Sequence, residues 1–93
     1  MKFRAPVSID TALYIYYAHT EIGNKEIRKL FGKMGNSTIA QYKRAVIAQQ
    51  AEDEVYTSGF ATVDTKTAYK VWGIDVEDLE KRRDKLHKLG LVS

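Results

Sequence analysis

Residues 24–45 read NKEIRKLFGKMGNSTIAQYKRA, and this stretch decides the fold. Ile27, Leu30 and Phe31 share one face of a helix over Lys25–Phe31, with Asn24 placed to cap it. Gly32 ends that helix, because glycine takes the left-handed conformation at a helix C-terminus without a Cβ penalty. Lys33-Met34-Gly35 makes a tight turn. Asn36 or Ser37 then caps a longer helix reaching about Ala51–Glu54. Ile39, Tyr42, Val46 and Ile47 supply its inner stripe.

Upstream, Ser8 or Asp10 caps a first helix to about His19, with Ile9, Leu13, Tyr16 and Tyr17 at helical spacing. Downstream, Asp53–Val63 reads as a linker. Ser58-Gly59 is a turn signal there, and Val55-Tyr56-Thr57 and Phe60-Ala61-Thr62-Val63 could flank it as a short hairpin. Asp64 or Thr65 caps a fourth helix, which Gly73 stops at Trp72. Asp75 caps a fifth, running to about Leu89 before Gly90. The expected fold is all-α with about five helices in a single domain over residues 1–93. A trihelical core spans about 8–52, and a second helical pair about 64–90.

The two parts echo each other. Asn24-Lys25-Glu26-Ile27-Arg28-Lys29-Leu30-Phe31-Gly32 aligns with Thr65-Lys66-Thr67-Ala68-Tyr69-Lys70-Val71-Trp72-Gly73. Both run cap, Lys, any, apolar, any, Lys, aliphatic, aromatic, Gly. Each is then a short helix, a glycine turn and a longer helix; two amphipathic helices ended by glycine also resemble one another by chance.

Composition narrows the function. The 93 residues carry 44% hydrophobic and 29% charged residues, as ordinary globular domains do. There is no cysteine, which excludes disulfides and thiolate metal sites and fits a cytoplasmic location. No apolar run approaches the ~20 residues that span a bilayer, so no membrane partner is expected. The opening Met-Lys-Phe-Arg-Ala-Pro lacks the apolar core of a signal peptide. His19 and His87 have no partners at ligand spacing, so neither a metal nor another cofactor is expected. No nucleophile triad, P-loop or dinucleotide fingerprint points to an enzyme. The net charge of +3 is mild, but residues 24–49 hold six bases against one acid. The positive charge is therefore concentrated on the stretch quoted first.

Ile27, Gly32, Ser37 and Ile39 meet the spacing of a helix, a reversing turn and a locking second helix. On these residues the segment resembles the helix-turn-helix DNA-binding superfamily, over about 22 residues. Two positions depart from the pattern. The turn is one residue longer than the commonest form, and Arg28 stands where a small residue is usual. The resemblance implies that the second helix enters the major groove of duplex DNA. Asn36, Ser37, Ala40, Gln41 and Arg44 would then face base edges. Gln suits adenine, Arg suits guanine and Ala suits a thymine methyl. Lys25, Lys29, Lys33, Thr38 and Lys43 would meet phosphates. A transcriptional regulator, or an accessory protein of a phage or mobile element, would use such a device.

The echo has a different surface. Its corresponding face would hold Asp75, Val76, Glu77, Glu80, Lys81 and Asp84, which repels phosphate. Trp72, Val76, Leu79, Leu86 and Leu89 give it an apolar stripe suited to a buttress or a homodimer contact. The alternative function is a protein-interaction module or structural bundle that uses this stripe and binds no nucleic acid. In a further alternative, a winged helix, the fifth helix reads DNA and a wing begins at Leu89-Gly90-Leu91-Val92. Tyr14, Tyr16 and Tyr17 are expected to be core with one exposed hydroxyl, and Trp72 to be a core anchor.

Overall fold

Five helices and two short strands were found in the computed structural model, which describes residues 2–59 and 61–90. Helix α1 is Ile9–Ala18, strand β1 Glu21–Ile22, helix α2 Asn24–Phe31 and helix α3 Asn36–Asp53. Strand β2 is Val63–Asp64, helix α4 Thr65–Trp72 and helix α5 Val76–Lys88. The chain is thus mainly α, as its patterning predicts.

Three caps form as expected. Ser8 accepts from the Thr11 amide, Asp64 from the Thr67 amide and Asp75 from the Asp78 amide. Each satisfies an amide that has no partner within its helix. Two differ. Gly23 and Gly35, not Asn24 and Asn36, hold the cap positions of α2 and α3, and both asparagines lie inside their helices. At Gly23 the Glu26 side chain reaches back to accept the backbone N–H at 2.8 Å, so the first turn of α2 is tied without an asparagine. Helix α3 ends within the range expected for it. It runs to Asp53 and closes on Glu54, a left-handed residue with φ 56°.

Among its described residues the linker forms no hairpin of its own. Its end, β2, pairs antiparallel with β1, with Glu21 opposite Asp64 and Ile22 opposite Val63. Phe60 lies outside the described residues, as does the wing segment from Leu91 onward. The ribbon joins two units of one skeleton: a two-residue strand, an eight-residue helix, a glycine with positive φ and a longer helix. The units differ in packing. Helix α3 lies on α4 and β2, whereas α5 lies on α1.

One buried cluster includes both units, so the expected trihelical core has no separate interior. At its centre Phe31, Tyr42 and Trp72 stack edgewise or tilted, with centroids 5.3–6.0 Å apart. Phe31 and Trp72 end α2 and α4, so the rings lock both glycine turns against α3. Each such pair adds about 0.5–1.5 kcal/mol beyond its buried area. The Trp72 indole donates to the Tyr42 carbonyl at 3.2 Å, as a buried N–H requires. Tyr69 donates to the Ala12 carbonyl at 2.6 Å, fixing α4 to α1, and burial pushes its pKa up.

Several inward assignments change. On α1 the buried residues are Ala12, Leu13 and Ile15, while Tyr14 and Tyr17 are 69% and 65% exposed. Two tyrosines therefore face out, because α1 is covered by α2 on one side and by α5 on the other. Ile47 is 51% exposed, since the stripe of α3 runs through Ile39, Tyr42, Val46 and Gln50 instead. The buried Gln50 side chain accepts the Asp64 amide at 2.7 Å and so hooks α3 to β2. Of the apolar stripe on the second unit, Trp72 is buried, and Val76 and Leu79 pack on the core. Of the rest of that stripe, Leu86 is half-buried and Leu89 is exposed.

Candidate nucleic-acid interface

A helix packed along one stripe must offer the opposite one to solvent. Ile39, Tyr42, Val46 and Gln50 bury one side of α3. Asn36, Ser37, Gln41 and Arg44 are exposed on the other, with Ala40 half-buried beside them. Ser37, Gln41 and Arg44 are spaced by four and three residues, so they stand in one row along about two turns. The five residues expected at base edges thus share a surface. Among the described residues no other part of the chain buries its exposed members.

Not all of them are free. The Arg28 guanidinium on α2 donates to the Asn36 side-chain oxygen. This explains how an arginine fits where a small residue is usual: it points outward and ties the two helices across the turn. Ser37, Gln41 and Arg44 have no side-chain partner among the described residues.

The expected cations stand unevenly about this row, and Lys29 lies on the α1 side of α2, in a hollow with Asp10, Tyr14 and His19. Lys25, Lys29 and Lys33 are exposed, while Thr38 and Lys43 are half-buried. Lys43 already donates to the Asn24 side-chain oxygen at 3.1 Å and to the Ala61 carbonyl at 2.7 Å. An ammonium has three donors, so one remains for a phosphate. Asn24, Asn36, Ile39, Ala40, Lys43, Arg44 and Ile47 line a shallow hollow of about 250 Å³ here. Its apolar wall is Ile39, Ala40 and Ile47, the last facing out against expectation.

One cation was missed by sequence reasoning. Arg4 donates through its guanidinium to the Lys33 carbonyl at 3.1 Å, and through its backbone N–H to the Tyr42 hydroxyl at 3.0 Å. It adds charge at the turn before α3. Nothing in its neighbourhood of sequence signals this, because the contact joins residues 29 positions apart.

A carboxylate holds the adjoining loop. Glu21 accepts from the Ser58 and Gly59 amides at 2.8 and 2.9 Å, and from the Ser58 and Thr62 hydroxyls at 2.8 and 2.7 Å. The Ser58 amide, the Thr62 hydroxyl and the remaining donors stabilise the anion and hold its pKa down at about 2. A Cβ on Gly59 would stand 2.3 Å from the Thr62 hydroxyl and 3.0 Å from Glu21, so any larger residue forces the Thr62 side chain to shift. This cradle sets the course of the chain to Ala61, whose carbonyl Lys43 binds.

The face of α5 is different. Asp75, Glu77 and Asp84 are exposed there, and the Tyr17 hydroxyl donates to Glu80. That bond keeps the phenol proton in place and raises the Tyr17 pKa. Among the described residues no helix is long and apolar enough to cross a membrane. No protein family, curated protein or solved structure matches the chain.

Proposed function

We propose that the chain binds duplex DNA, with α3 in the major groove and Ser37, Gln41 and Arg44 at base edges. The observation that carries this reading is the unobstructed polar row on α3, with Arg28 and Lys43 beside it and Lys25, Lys29 and Lys33 exposed on α2 and the turn that follows. The row offers a donor–acceptor amide and a bidentate guanidinium within about two helical turns, the reach of a few base pairs. Arg4 at the turn, Thr38 in the first turn of α3 and Lys43 beside the start of α2 would meet phosphates. The notion of a small regulator or accessory protein of a phage or mobile element rests on this reading.

The winged-helix alternative with α5 as reader is disfavoured by the exposed carboxylates of Asp75, Glu77 and Asp84. The interaction-module alternative, and a homodimer through the C-terminal helices, lose most of their apolar surface, because Trp72, Val76 and Leu79 are engaged within the chain.

Selection of bound duplexes from a randomised pool tests the proposal. The wild type enriches a short motif, and Gln41→Ala and Arg44→Ala each relax one part of it while the fold persists. Enrichment of the same motif by the Gln41→Ala/Arg44→Ala double variant would contradict this assignment of readers.

A further inference from the structure

A second hollow lies away from α2 and α3. It measures about 760 Å³ and is lined by residues of α1, α4 and α5 and the segments that join them. Tyr16 and Tyr17 supply aromatic wall, and Asp64, Glu77 and Glu80 supply carboxylates. Against these three acids stand Lys66, which is exposed at the rim, and His19.

Two of the carboxylates have local work. Asp64 caps α4, accepting from the Thr67 amide and hydroxyl at 2.9 and 2.7 Å. Glu80 accepts the Tyr17 hydroxyl. Glu77 has no hydrogen-bond or ion-pair partner among the described residues, although its place in the first turn of α5 suits the helix dipole.

The second observation is independent of the acids. Thr65 also lines the hollow and is 1% exposed. Its hydroxyl is the one buried side-chain polar atom among the described residues without a hydrogen-bond partner. An orphaned buried hydroxyl costs stability, so its retention beside a hollow asks for a partner.

We propose that this hollow binds an organic cation, an ammonium or guanidinium group. Such a group carries only donors. It would find acceptors in Glu77 and Glu80, in the Thr65 hydroxyl once that side chain turns toward the hollow, and a π-face in Tyr16 or Tyr17. A phosphate or carboxylate meets three like charges here. The same chemistry occurs in a free polyamine and in a lysine or arginine side chain of a partner protein. The site shares no residue with the α3 face, so it stands whether or not the chain binds DNA.

The test is a titration of the isotope-labelled full chain, followed by amide chemical shifts, with spermidine and with N-acetyl-argininamide in separate arms. Sodium acetate is the ionic control. Saturable shifts centred on Thr65, Glu77 and Glu80 are expected, with affinity falling about fivefold in Glu77→Gln. Thr65→Val removes the hydroxyl and keeps the shape. It weakens binding while leaving the fold as stable as before or more so. Tighter binding of spermidine assigns a free amine, and tighter binding of the arginine derivative assigns a partner's side chain. Either outcome supports the site. Absence of saturable shifts with both probes overturns it. So do equal shifts with acetate, or affinities unchanged in both variants.

Discussion

If Lys25, Lys29, Lys33 and Lys43 each neutralise one phosphate, binding to duplex DNA must weaken with salt in a calculable way. Each neutralised phosphate contributes about −0.9 to the slope of log K against log salt, so four give about −3.6. Between about 50 and 200 mM salt the affinity then falls roughly 150-fold. Lys29 is exposed and makes no bond within the chain among the described residues. Lys29→Ala should therefore flatten the slope to about −2.7, weakening every sequence alike without touching the fold. Lys43 differs, because its ammonium also holds Ala61 and Asn24. Its removal should cost affinity and also loosen the loop beside α3. Fluorescence anisotropy with a labelled duplex at several salt concentrations measures both slopes. Undetectable binding at low salt refutes the reasoning at its root. A slope that Lys25→Ala and Lys29→Ala both leave unchanged refutes the assignment of phosphate contacts.

Three further outcomes concern the frame of the site. Gly59→Ala forces a Cβ against Thr62 and Glu21; faster amide exchange at Ser58–Thr62 with α1–α3 still protected is expected, and unchanged exchange would show the cradle to be slack. The Glu21 pKa, near 2 in the fold against an ordinary 4.5, makes its contribution complete above about pH 4.5 and lost as pH falls toward 2. Thermal midpoints should accordingly decline less over that window in Glu21→Gln than in the wild type. Tyr69→Phe deletes the buried bond to the Ala12 carbonyl, at about 1 kcal/mol, and lowers the melting temperature by roughly 4–8 °C in calorimetry; a rise would mean the hydroxyl is poorly accommodated.

Local patterns made most helices legible, because caps, glycines and helical spacing act over a few residues. Ser8, Asp64 and Asp75 cap as their positions predict, and Gly73 closes α4 with a left-handed φ of 74°. Asn24 and Asn36 misled, since a glycine before each could take the cap geometry and let the helix begin at the asparagine. The strands were invisible: two residues contain no alternation to read, and their pairing joins Glu21 to Asp64. The row of Ser37, Gln41 and Arg44 followed from counting outward from Ile39, which is indeed buried. Arg4, the Glu21 cradle and the prior engagement of Lys43 depend on contacts made only once the chain has closed. The outward turn of Tyr14 and Tyr17 belongs with them, because apolar bulk alone does not say which side of α1 its neighbours will cover.

The packing of α1 on α5 has a consequence for how the protein is made. Helix α1 leaves the ribosome before α5 and waits for it. Their starts, Ile9 and Val76, are 67 positions apart, a delay of roughly 3–13 s at common rates of synthesis. Until then the side of α1 that packs on α5 has no cover, and the ribbon partner of Glu21 arrives only with Asp64. A nascent chain cut after α3 would carry the whole basic row yet lack the Trp72 ring and the β2 strand that fix it. Competence to fold thus waits for β2, α4 and α5, which carry none of the row.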